Sequence, residues 1–443
     1  MKRNCIALLI VSLLSVSLAC ADEWDREKTD LTQSCSDLFS SFSQIGKCGE
    51  FLFTGDPVHL AVPESVVPGG GVALGAVYEQ PLPITNWAGS NFTLQGGSSL
   101  SEFWFGDAVV TLSHKRWGGR LKPGDRFQVQ VYSHARGLPQ MPFYGIGPNT
   151  IRPNLAYFRE RDLSAGASVI NPLSSWLDAG GVVEYLNPEI TGAHGTSIRS
   201  ISTYYSNATA PGLSQQPSFG HYVVSLSPKY HLTWTKFNSQ MAFHEYQDLD
   251  GSGYSFHKFR ADFLQTIYPE WKREPTGGVK GQYRRQPNYE SVLYIAGRFS
   301  AAAAAKNNVV PFYLQETLGG SDIDNIPTLR GFQDYRFRGP DLFSIQAQYE
   351  RRLLPSLPPG SPRPSTVRSV AGALGIMAFY DAGEVATKLD NLGSSNIRHS
   401  FGFGLTIWSA EKVWFRAYIG LGSGEGTHTF TGVTNPAMQN LHL

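Results

Sequence analysis

The chain has 443 residues, with 37 Lys+Arg against 36 Asp+Glu and a formal charge of +1. Charged residues make up only 16%, against a usual ~25%, while aromatics reach 12% and glycines number 46. This balance excludes a basic nucleic-acid binder and an acidic disordered tail. The length suggests two or three soluble domains, yet no linker or charge block divides the chain.

Met1-Lys2-Arg3 is a basic start, Ile6–Leu18 is apolar, and Ala19-Cys20-Ala21 fits a small-x-small cleavage site. The pattern predicts a secretory signal peptide over 1–21. The rival is a lipoprotein cut before Cys20, but Ser17 stands where a large aliphatic residue is expected. The apolar run is shorter than the ~20 residues a spanning helix needs. Export leaves Cys35 and Cys48, and an isolated pair in an oxidising compartment points to a disulfide rather than a metal site. Residues 22–68 form a short periplasmic N-terminal segment in this reading, with a helix over 31–42 and extended chain over 51–67.

From Gly69 to Val433 the chain becomes a series of alternating segments. They fall near 70–82, 91–101, 105–117, 124–136, 159–171, 176–187, 219–232, 238–248, 253–268, 291–303, 310–319, 341–354, 371–386, 396–409, 413–423 and 426–433. Sixteen segments of about ten residues each match tilted membrane-crossing strands. Phe401, Phe403, Leu405 and Ile407 oppose Ser400, Gly402, Gly404 and Thr406; Val413, Phe415, Ala417, Ile419 and Leu421 oppose Trp414, Arg416, Tyr418, Gly420 and Gly422. The lumen of a sixteen-stranded barrel is too wide for its own wall to fill, so an apolar outer face and a polar, glycine-rich inner one are expected. The fold class is therefore all-β: a 16-stranded antiparallel transmembrane β-barrel over 69–433, followed by a polar tail, 434–443. Long polar connections such as 188–218 and 269–290 read as extracellular loops, with short turns at the other end.

The stretch 318–354 is the most informative. Gly319-Gly320 opens a long loop holding Arg330, Arg336 and Arg338 beside Phe332, Tyr335 and Phe337. Two readings stay open: a solvated surface loop, or a plug folded into the lumen. The loop closes on a strand with Phe343, Ile345, Ala347 and Tyr349 on one face and Ser344, Gln346, Gln348 and Glu350 on the other. Alternation in Phe379-Tyr380-Asp381-Ala382-Gly383 turns Phe379, Asp381 and Gly383 inward. Glu350 and Asp381 then make partners for Arg330, with Gly331 allowing a tight turn against the wall and Phe332 packing on Phe379 near Gly383. The other reading of both acids is that they line a polar pore.

Three motifs are set aside. Asp248-Leu249-Asp250-Gly251 opens like a calcium loop, but Phe259 occupies the place of the required glutamate, so a hairpin turn is expected. Gly420-x-Gly422-x-Gly424 lies in strand sequence with no following helix. The histidines lack metal-ligand spacing, and no nucleophile elbow or phosphate-binding lysine occurs. The reading is no enzyme, no metal and no cofactor.

Gly319-Gly320, Leu329-Arg330-Gly331-Phe332, Glu350 and Phe379-x-Asp381-x-Gly383, in this order, resemble the signatures of the BamA/TamA-like outer-membrane assembly and secretion proteins, the bacterial surface antigens. Phe143-Tyr144-Gly145-Ile146-Gly147-Pro148 resembles a loop element of the short members. The resemblance implies an outer-membrane barrel whose sixth extracellular loop is tethered in the lumen through Arg330. It also implies a lateral seam between the first and last strands, here Gly71, Val72, Ala73 and Leu74 against Thr429, Phe430 and Thr431. Residues 22–68 are too few for one complete POTRA module, so a short member lacking POTRA modules is expected. Implied partners are outer-membrane lipid, an unfolded outer-membrane protein client, or a separate periplasmic partner, with no nucleic acid. Protein insertion or translocation at the outer membrane is the expected function; the alternatives are a passive pore or structural barrel, and a soluble exported β-sandwich.

Overall fold

The computed structural model describes residues 58–61, 66–82, 84, 87, 89–115, 126–193, 199–275, 283–323, 326–354, 372–393, 396–409, 412–423 and 425–432. The expected signal peptide (1–21), Cys35, Cys48 and residues 434–443 lie outside them. One antiparallel sheet of sixteen strands dominates. Its members are β1 (Val58–Ala61), β2 (Ala73–Pro81), β3 (Asn91–Ser99), β4 (Trp104–Lys115), β5 (Arg126–Phe143), β6 (Ala156–Ser174), β7 (Leu177–Gly192) and β8 (Phe219–Leu232). They continue as β9 (Thr235–Asp248), β10 (Phe256–Ile267), β13 (Ser291–Ala304), β16 (Asp341–Arg352), β17 (Leu374–Ala386), β18 (Arg398–Ser409), β19 (Lys412–Gly422) and β20 (Gly426–Gly432). Two small ribbons, β11 (Trp271–Pro275) with β12 (Tyr283–Pro287) and β14 (Glu316–Leu318) with β15 (Phe337–Gly339), lie outside the sheet.

The burial pattern is that of a soluble sheet turned inside out. Along β16, Phe343 and Ile345 are 39% and 38% exposed while Ser344 and Gln346 are 3% and 2% exposed. On β18, Phe401, Phe403 and Leu405 are exposed and Ser400 and Thr406 are buried. Alternation with apolar residues outward and polar residues inward is what a strand bounded by lipid on one side requires. No helix among the described residues is long and apolar enough to cross a membrane.

The sheet curls strongly. The Arg336 guanidinium donates both to Thr150, in the β5–β6 connection, and to Glu425, in the β19–β20 turn. In a flat sheet β6 and β19 would stand nine strand spacings apart, about 43 Å at ~4.8 Å each. A single side chain spans them because the sheet bends round it.

Three expectations are corrected. The segment 310–319 is not a wall strand: Phe312–Leu314 is a 3-10 turn, and Glu316–Leu318 pairs with Phe337–Gly339 inside the long connection. Pro311 lacks an amide to donate, and Glu316–Leu318 is buried throughout rather than two-faced. The sheet begins instead at β1, within the stretch assigned to the N-terminal segment, and β1 covers only Gly75–Tyr78 of β2. The long connections also do not share one end. Antiparallel order places 305–340 and 193–218 together at what we term the loop end, whereas 268–290, with its β11–β12 ribbon, lies at the far end.

Candidate functional site: the internal loop and its anchors

The connection between β13 and β16 folds onto the polar face of the sheet. Gly319 and Gly320 have positive φ, at 117° and 52°, and the chain doubles back there because no Cβ obstructs it. Gly320 N donates to Leu329 O at 2.8 Å and Thr328 N returns a bond to Gly320 O at 2.8 Å. The next residues, Arg330 and Gly331, are thereby set against β16, β17 and β19.

Arg330 and Asp381 are 1% and 0% exposed. Arg330 Nη2 donates to Asp381 Oδ1 at 2.5 Å, and its Nε and backbone N both donate to Oδ2 at 3.0 Å. Ser400 Oγ adds a third donor to Oδ2, also at 3.0 Å. The guanidinium carbon lies 3.8 Å from the centre of the Phe379 ring, close enough for a cation–π attraction. Register explains the assembly: Gln346, Asp381 and Ser400 form one cross-strand row, and Gln348, Phe379 and Gly402 the next.

Glu350 is not a direct partner of Arg330. Its strand neighbour is Met377, while that of Asp381 is Gln346. The offset of four residues along β16 is about 13 Å, beyond one guanidinium. Gln348 bridges instead, accepting from Arg330 Nη1 and donating to Glu350 Oε1 at 2.8 Å. Arg416 of β19 pairs with Glu350 through Nε at 2.6 Å. The result is one continuous chain, Asp381–Arg330–Gln348–Glu350–Arg416, with every member buried. A buried charge requires such pairing to persist.

Gly331 serves close approach rather than a turn. A Cβ there would collide with the backbone of Leu421 and Gly422, and one at Gly420 or Gly422 would collide with the backbone of Arg330 or Gly331. Gly402 likewise leaves room for the Phe379 ring, and a Cβ on Gly383 would meet Leu318 at 3.1 Å. Phe332 does not pair with Phe379 as expected. It packs with Leu318, Leu329, Phe337, Leu342 and Val385, because the face of Phe379 is taken by Arg330.

Two further anchors flank this centre. On the entry side, Lys258 of β10 bonds Glu316 at 3.0 Å and Arg298 of β13 bonds Asp322 at 2.6 Å. Burial alone would raise the Glu316 pKa, but Lys258, Arg260 and Arg298 reverse this and hold it well below the usual carboxylate range. On the exit side, Arg336 Nε donates to Glu425 Oε1 at 2.7 Å, Gly147 N donates to Arg338 O at 2.7 Å, and Tyr144 OH donates to Gln333 Oε1 at 2.7 Å. The Phe143–Pro148 element is thus the dock for the returning loop. Its Gly145 and Gly147 have positive φ of 106° and 103°.

Among residues that sequence reading did not join to the tether, Gln348 and Arg416 carried a signal, since alternation turned both inward. Lys258, Arg298, Glu316, Asp322 and Glu425 carried none, because their partners are set by tertiary register. Of the seam residues, Ala73 and Leu74 pair with Ser99 and Ser98 of β3 and lie past the end of β1, and Gly71 and Val72 precede the strand. Thr429, Phe430 and Thr431 pair with Ile419, Tyr418 and Ala417. The first edge of the sheet is therefore β1. In the supposed calcium loop, Asp248 accepts from the amides of Asp250 and Tyr254 at 2.9 and 3.1 Å, as a turn carboxylate does.

A cavity of about 680 Å³ remains between the loop and the wall from β4 to β10, lined by polar and charged residues including Asp107, Arg136, Glu184, His221 and Arg260.

No protein-family model matches the sequence, and no curated protein matches it. Solved structures do. BamA from Haemophilus ducreyi lacking POTRA domains 1–3 aligns at 12% identity with a TM-score of 0.50, over 88% of this chain and 77% of that one. CdiB from Escherichia coli aligns at 13% identity with a TM-score of 0.49, over 85% of this chain and 62% of that one. CdiB from Acinetobacter baumannii aligns at 9% identity with a TM-score of 0.42, over 80% and 54%. The chain spans less than two thirds of either CdiB. What the first alignment establishes is architecture: the chain has the fold of a BamA-like β-barrel.

Proposed function

We propose that the sheet closes into a sixteen-stranded outer-membrane barrel with the 305–340 loop in its lumen, and that this barrel inserts or translocates protein at the outer membrane. The observation carrying the proposal is the contrast between the two ends of the sheet. The tether is fully buried and fixed to β16, β17 and β19, whereas among the described residues the first strand is four residues long and pairs with Gly75–Tyr78 alone of β2. Unpaired backbone at an edge is a template for an incoming strand. The loop end faces outward in this reading and the far end faces the periplasm. A client is an unfolded outer-membrane protein, delivered directly or by a separate periplasmic partner.

Disulfide locking tests the proposal. One cysteine is placed in β1 (Val58–Ala61) and one in β20 (Gly426–Gly432), and cells with the bond formed and reduced are compared. Arrival of a client in the outer membrane should stop when the seam is locked and resume on reduction. A locked barrel that delivers client as before would favour the second reading, a passive pore through the charged cavity beside the loop. Single-channel conductance measures that activity directly.

A further inference from the structure

The β11–β12 ribbon at the far end has a feature that sheet packing does not explain. Its register sets Arg273 directly opposite Arg285, and both are exposed. Like charges in facing positions destabilise a two-stranded ribbon, unless an anion sits between them. Trp271 shares their face by alternation and is 42% exposed, with the Arg285 guanidinium 5.1 Å from its ring centre.

The surroundings identify the anion's source. The root of the ribbon touches the apolar outer wall: Glu270 accepts from Tyr349 OH at 3.2 Å and pairs with Arg351 at 3.0 Å, and both partners lie on the face of β16 that carries exposed Phe343 and Ile345. Trp176 and Trp234, in the two-residue turns after β6 and β8, are exposed at the same end. Exposed tryptophans at one level mark a membrane–water interface, and cations beside them stand in the layer of lipid phosphates. An acidic protein would need neither the tryptophan row nor its continuity with the apolar outer wall.

We propose that the face carrying Trp271, Arg273 and Arg285 binds the phosphate of an anionic phospholipid in the leaflet at the far end. The proposal rests on the membrane-barrel reading but not on protein insertion. The test uses the full chain in zwitterionic detergent micelles, titrated separately with phosphatidylglycerol and phosphatidylcholine, with bound lipid counted by native mass spectrometry. The parent should prefer phosphatidylglycerol. Arg273→Gln with Arg285→Gln should lose about fivefold per removed cation, roughly twenty-fivefold together, and leave phosphatidylcholine unchanged. Arg273→Lys with Arg285→Lys should keep most of the preference. Heat-modifiable gel migration confirms that each variant is folded. Equal binding of the two lipids by the parent, or a preference that survives the glutamine pair, would overturn the proposal. So would binding of a polyglutamate peptide that the glutamine pair abolishes while lipid preference stays intact; that result would assign the face to an acidic protein.

Discussion

Truncating Arg330 should loosen the loop more than any other single change in the tether. Arg330→Ala leaves Asp381 fully buried with only a backbone amide and the Ser400 hydroxyl as donors, and removes the Arg330 donor from the Gln348 oxygen. Breaking a buried pair by removing one partner costs roughly 3–5 kcal/mol. The two retained donors pull the expectation to the lower end, while the lost contact with Phe379 adds up to about 2 kcal/mol. Because these terms share one side chain they do not add, and about 3–4 kcal/mol is expected. Urea titration of barrels folded into vesicles measures it, with limited proteolysis reporting release of the loop. Arg330→Met combined with Asp381→Leu should be less damaging than either single change, since an apolar pair leaves no buried charge unpaired. A coupling energy below about 0.5 kcal/mol across that cycle, or an Arg330→Ala barrel as resistant as the parent, would refute the tether.

Gly331→Ala should release the loop although it adds one methyl group, because the neighbour in its way is the β19 backbone; Gly106→Ala, with open space around it, is the matched control, and protease sensitivity of the loop separates them. Arg336→Gln or Glu425→Gln should raise hydrogen exchange in the β19–β20 hairpin while leaving exchange in β8 and β9 unchanged, since that ion pair fixes the turn between the last two strands. The depressed pKa of Glu316 stabilises the folded state at and above neutral pH, and that contribution fades as pH falls from the ordinary glutamate range toward the lower folded value. Loop release by acid should therefore begin only below about pH 4. Glu316→Gln should lower loop stability at pH 7 by leaving Lys258 without its carboxylate, and acid titration with proteolysis compares the two.

Much of this architecture was legible in the sequence because a two-faced sheet imposes a two-residue period. Alternation alone turned Asp381, Glu350, Gln348 and Arg416 inward, and it located fifteen of the sixteen strands of the sheet. It misjudged 310–319, where an apolar run without alternation reads equally well as a strand or as buried loop. It read 51–67 as extended, which holds β1, but left that stretch outside the sheet because four residues are too few to display a period. The partner of each inward charge lay beyond its reach. Arg330 chooses Asp381 over Glu350 because the β16–β17 register separates the two acids by four residues, and Arg416 reaches Glu350 only once β19 curls beside β16. Glycines 331, 420 and 422 look alike in sequence to any turn or strand glycine; their meaning comes from two backbones meeting where no Cβ fits. The sequence by itself determined a two-faced wall and a loop rich in cations. Tertiary structure alone decided which carboxylate holds which arginine, because ion pairing falls off over a few ångströms and those distances are set by strand register and sheet curvature.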